Sequence, residues 1–140
     1  MPESLNHTAL LARLLKYVKY TFDADQNALI LNDLPSAIGC EKPPMIEGFR
    51  PDLYATCGAL QTVIIGEAKT ANDLETAHSR EQYRAYARHL AASTCSILIL
   101  AVPWQLRVRA KTLMRLAVEE AGAPTIVRIV IDDVQELQSC

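Results

Sequence analysis

After residue 60 the chain alternates between short strand-like runs and longer helix-like ones, and this alternation restricts the fold more than any other feature. Gln61–Lys69 carries Val63, Ile64 and Ile65, apolar on both faces as a central strand requires. Ser96–Val102 is a second buried run, stopped by Pro103, and Thr125–Ile131 is a third, rich in β-branched residues. One helical stretch reaches Ala92 from a start at about Asp73 or Arg80, where Asn72 with Glu75 and Ser79 with Gln82 each fit a capping box. Another covers Trp104–Ala121 and is closed by Gly122 and Pro124. Strands joined through helices need long crossovers and so run parallel.

The earlier residues add a helix and a hairpin. Leu10, Leu11, Leu14, Leu15 and Val18 recur at helical spacing within Ser4–Tyr20. Asp23–Asn27 is a turn-rich break, and Ala28–Leu31 a short first strand. Asp33–Glu47, with Pro35, Gly39, Pro43 and Pro44, is a loop. Phe49–Thr56 reads as a strand made irregular by Pro51, and Cys57–Leu60 connects it to the central strand. Asp132–Cys140 is a polar tail. The predicted order is α-β-β-β-α-β-α-β: an α/β fold with a mixed central sheet flanked by helices, as one domain over residues 1–140.

Several classes are set aside. Half the residues are apolar and 21% charged, which is a globular and not a disordered composition. No apolar run is long enough for a membrane span, and Met1–Ser4 lacks the basic-then-apolar start of a secretory signal. Cys40, Cys57, Cys95 and Cys140 lie far apart with no CxxC pair, which argues against a zinc site and for reduced thiols; a cytoplasmic location is expected. Cys95 is expected in the core, and Trp104 is expected to pack against the protein rather than stack on bases.

The net charge of −2 hides a strong asymmetry. Residues 77–116 hold seven Lys and Arg and one acid, a net +6, and the remainder carries −8. Arg80, Arg84 and Arg88 form one gently winding helical stripe, and Arg107, Lys111 and Arg115 a second. Such stripes can contact phosphates without reading sequence, or simply be solvated faces.

Asp52, Glu67 and Lys69 are ionisable residues on two otherwise apolar strands. Glu67 and Lys69 are two apart and share a face. With a four-residue connection over 57–60, Thr56 faces Gln61, and Asp52 faces Ile65, on that same face and diagonal to Glu67. Two converging carboxylates repel each other unless a cation compensates, and oxygen-only ligands suit Mg2+ or Mn2+. A Glu67–Lys69 surface ion pair is the plainer alternative.

Pro51-Asp52, a 14-residue gap, then Glu67-Ala68-Lys69 resembles the PD-(D/E)xK signature of the restriction-endonuclease-like nucleases. The order helix, three strands, helix, strand resembles that superfamily's common core, here extended by a helix and a strand. Gln82-Tyr83-Arg84-Ala85-Tyr86 is similar to the QxxxY motif of the RecB-like branch, and Holliday-junction-resolvase-like branches are also close in motif. The resemblance implies a metal-dependent DNA phosphodiesterase: Asp52 and Glu67 binding Mg2+ (or Mn2+), Lys69 assisting the attacking water, and Gln82 and Tyr86 near the metal. By analogy with a His-bearing branch, His7 on the first helix is a further metal-proximal residue. DNA (duplex, branched or single-stranded) is then the partner, met by a homodimer where both strands are cut. A catalytically silent nucleic-acid-binding or assembly module is the alternative on this fold.

Overall fold

The computed structural model describes residues 5–22, 28–34, 42–58 and 61–134. Ser4, the break at 23–27, residues 35–41 of the loop with Cys40, Ala59, Leu60, and the tail beyond 134 with Cys140 lie outside them. α1 (Leu5–Phe22) is followed by β1 (Leu29–Asn32), β2 (Leu53–Cys57), β3 (Thr62–Ala68), α2 (Ala77–Ala91), β4 (Ser96–Val102), α3 (Arg107–Glu120) and β5 (Val127–Asp132). A single 3-10 turn, Trp104–Leu106, leads into α3. The element order agrees with the sequence reading throughout.

The strands form one mixed sheet in the order β1-β2-β3-β4-β5. β1–β2 and β2–β3 are antiparallel, whereas β3–β4 and β4–β5 are parallel. β4 is buried along its whole length, as its unbroken apolar run requires. α2 and α3 cover one face, where Ile65, Leu98, Leu100 and Val130 meet Tyr83, Tyr86, Leu90, Leu113 and Met114. α1 covers the other, packing Leu10, Leu11, Leu14 and Val18 against Leu53, Ile64, Ile99 and Ile131. Each of these four α1 side chains is at most 4% exposed, and burying one stabilises by about 1.5–3 kcal/mol. α1 approaches β3 closely at Gly66, where an added Cβ would lie 2.8 Å from Leu14 Cδ2.

Three local expectations are corrected. β2 begins at Leu53, not Phe49, because Ile46–Phe49 closes its own tight turn with positive φ at Glu47 (51°) and Gly48 (86°). The α2 cap is Thr76, whose Oγ1 accepts the Ser79 N–H at 3.0 Å, so neither Asn72 nor Ser79 caps the helix. Trp104 is 53% exposed instead of packed, and Cys95 is only half-buried. The Gly122 stop holds: its φ is 66°, its N–H reaches Glu119 O at 3.0 Å, and the Ala123 N–H reaches Val118 O at 3.2 Å, a Schellman closure.

Candidate active site

The β2–β3 register pairs Leu53 with Gly66, so continuing it by one residue sets Asp52 opposite Glu67. The sequence placed Asp52 opposite Ile65. The pairing is shifted by two residues, which preserves the face and brings the carboxylates closer than the diagonal. Asp52, Glu67 and Lys69 are all buried, with 6%, 3% and 7% exposure. The apolar strands around them therefore hold three ionisable groups at the carboxyl end of β3.

The backbone locks the acids together. The Asp52 N–H donates to Glu67 Oε1 at 2.9 Å, and the Ala68 N–H donates to Asp52 Oδ2 at 2.8 Å. α2 supplies the next layer: the Tyr86 hydroxyl donates to Glu67 Oε1 at 3.3 Å, and Gln82 Oε1 accepts from Lys69 Nζ. Lys69 Nζ also lies 3.3 Å from Glu67 Oε2. Gln82 and Tyr86, one turn apart on α2, therefore face the same two strand residues. From the other side of the sheet, His7 Nε2 approaches Asp52 Oδ2 at 3.2 Å.

Burial, and next the Asp52 charge, push the Glu67 carboxyl up to about 8, against the opposing effect of Lys69. Burial and the nearby Glu67 and Asp52 charges raise the Tyr86 hydroxyl, keeping it a hydrogen-bond donor. A buried carboxyl that resists ionisation beside another acid is the electrostatic demand a cation answers. Among the described residues no three or more His, Cys, Asp or Glu side chains are gathered to hold an ion. Two carboxylates nevertheless suit Mg2+, which usually keeps several waters and takes substrate phosphate as a further ligand.

The basic stripes are differently placed from the acid cluster, and acids distant in sequence meet them. Arg84 pairs with Glu120 on α3 at 2.7 Å and with Glu81, and Arg88 pairs with Glu47 of the tight turn at 2.7 Å. Arg80 lies 3.9 Å from Glu75, which also pairs with Arg109. Arg107 approaches buried Asp132 at 3.3 Å, and Arg115 lies 3.4 Å from Glu119. Lys111 makes no ion pair among the described residues; with Arg115 and Arg128 it lines a groove of about 360 Å³ between α3 and β5. Arg128, on the edge strand, was absent from the sequence reading because a lone base on β5 has no periodic partner.

Among the described residues no helix is long and apolar enough to cross a membrane. No protein-family model, curated protein or solved structure matches this chain.

Proposed function

We propose that this chain is a metal-dependent nuclease that hydrolyses DNA phosphodiester bonds, with a restriction-endonuclease-like core. The observation that carries the reading is the convergence of buried Asp52, Glu67 and Lys69 at one strand end, with Gln82 and Tyr86 from α2 closing over them. Support also comes from the order helix, three strands, helix, strand, with one acid directly before the second strand and the other on the third, an order that resembles the core of those nucleases.

Asp52 and Glu67 would hold the cation. When bound, it supplies Lewis-acid polarisation of a phosphoryl oxygen and makes water a better nucleophile. The remaining work falls to this chain's own groups. Lys69 Nζ has three donor positions; Glu67 Oε2 and Gln82 Oε1 account for two. The third is left for the attacking water or the charge developing on the phosphoryl group. Gln82 and Tyr86 act as positioning residues, fixing Lys69 and Glu67 respectively. His7 orients Asp52. Lys111 and Arg128 are the cations best placed to follow a phosphate backbone, since Arg84, Arg88 and Arg115 are engaged with acids.

The test is incubation with single-stranded, duplex and four-way DNA, with Mg2+ or Mn2+, beside Lys69→Ala. Metal-dependent cleavage that the variant loses is expected. DNA binding without cleavage by the folded wild type would leave the silent-module reading instead.

A further inference from the structure

The carboxyl ends of the three parallel strands open on the α1 side of the sheet into a groove of about 380 Å³. Thr70 follows Lys69 directly, and Asn6 precedes His7, which contacts Asp52, so this groove adjoins the carboxylate site. Its volume lies at the small end of the range for ligand sites, roughly 300–1,000 Å³.

Three primary amides converge there from three elements: Asn6 on α1, Asn72 in the turn after β3, and Gln105 in the 3-10 turn after β4. Among the described residues none of these amides makes a hydrogen bond to the protein, although polar neighbours in the groove do. Thr70 Oγ1 donates to Asp73, Arg13 Nε to Asp132 O at 3.0 Å, and Asp133 Oδ1 accepts the Trp104 N–H at 3.0 Å. The charges lining the groove, Arg13 and Asp133, offset one another. A phosphate cradle would present an excess of cations or backbone N–H groups. Solvent-facing amides without a protein partner, each offering two donors and a two-lone-pair acceptor, match the mixed donor–acceptor edge of a nucleobase instead.

Resting on the nuclease reading, we propose that this groove takes the base of an unpaired nucleotide next to the scissile phosphate, with Asn6, Asn72 and Gln105 contacting its edge. The substrate class is then a single strand, or a duplex frayed or branched at the cleavage point, because a paired base has its Watson–Crick edge occupied. Trp104 is the chain's single tryptophan; it sits between Pro103 and Gln105, which line the groove, and so serves as a built-in reporter.

The experiment measures binding in EDTA, by fluorescence anisotropy and Trp104 emission, for short single-stranded DNA and an abasic oligomer of the same length. The wild type is expected to favour the base-bearing strand by about tenfold, the order of one base-edge contact. A variant carrying Asn6→Ala, Asn72→Ala and Gln105→Ala, all at exposed positions, should bind both strands equally while melting like the wild type. Equal wild-type affinity for the two strands, or a preference that survives in the triple variant, overturns the proposal. Cleavage with Mg2+ is scored separately. Base-dependent binding without cleavage would sink the nuclease reading and leave the groove standing; cleavage without base preference would do the reverse.

Discussion

Asp52 and Glu67 hold each other's strands: the Asp52 N–H bonds the Glu67 carboxyl at 2.9 Å, and the N–H next to Glu67 bonds the Asp52 carboxyl at 2.8 Å. Each acid is thus part of the sheet's hydrogen-bonding as well as a candidate ligand. Asp52→Asn leaves an oxygen to accept the Ala68 N–H, whereas Asp52→Ala strands that buried donor, which costs about 1–3 kcal/mol. Calorimetry on Asp52→Asn/Glu67→Gln is expected to show a folded protein that has lost Mg2+ or Mn2+ binding. Metal should raise the melting temperature of the wild type only, by linkage. Equal ion binding in both proteins would refute the site.

Glu67 also sets a pH dependence in the metal-free protein. Its folded pKa is raised from the ordinary 4.5 to about 8 by burial and Asp52. Between these values the folded chain keeps a proton that the unfolded chain has released. Its contribution to stability is therefore fully present below about 4.5, falls as pH rises, and levels off above about 8. Urea denaturation in EDTA across this range should show that loss, and Glu67→Gln should remove it. Metal uptake near neutral pH should release a proton. A wild-type slope unchanged in Glu67→Gln would contradict the assignment.

Most of the fold was legible because its signals are local. The unbroken apolar run Ser96–Val102 and the stop at Gly122 need no tertiary information, and the structure keeps both. The face shared by Glu67, Lys69 and Asp52 followed from strand parity, which the two-residue register shift leaves intact. What escaped was set by contacts between distant segments. Glu47, Glu75 and Glu120 lie outside the basic segment, so sequence counting left Arg88, Arg109 and Arg84 without the acids that meet them in space. Gln82 fitted both a capping box and the QxxxY resemblance, and its particular partner, Lys69, is brought to it only by folding. The amides of Asn6, Asn72 and Gln105 share no spacing at all.

Gly66 is where α1 crosses β3. An added methyl would meet Leu14, itself fully buried, so Gly66→Ala overpacks the interface. Urea unfolding should show a loss of about 1–3 kcal/mol. Unchanged stability would mean that α1 shifts away without cost.

The ion pairs rank the cations for DNA binding. Lys111 and Arg128 pair with no acid among the described residues, whereas Arg84 and Arg88 are each tied to a glutamate. Replacing Lys111 or Arg128 by Ala should lower the slope of log affinity against log salt by about 0.9 each on duplex DNA, equally for all sequences. Arg84→Ala should leave the slope nearly unchanged. The opposite ranking would put the substrate on α2.

Lys69 separates catalysis from architecture. Its Nζ is fixed between Glu67 Oε2 and Gln82 Oε1, at the strand end where both acids converge. Its proposed contacts with water or phosphoryl charge strengthen as charge develops, so they lower the barrier more than they bind substrate. Lys69→Ala should therefore slow cleavage by about 10²-fold or more, as loss of one electrostatic donor does. DNA affinity should change far less, because one contact among many is lost. Lys69→Met keeps the length of the stem and removes the charge, and should match Lys69→Ala in rate. Gln82→Leu should act in the same direction more weakly, since it frees Nζ without deleting it. If Lys69 were only a structural partner of Glu67, melting temperature and activity would fall together. Cleavage, binding and melting measured on the same samples distinguish the two, and a well-folded Lys69→Met protein cleaving at the wild-type rate would end the catalytic assignment.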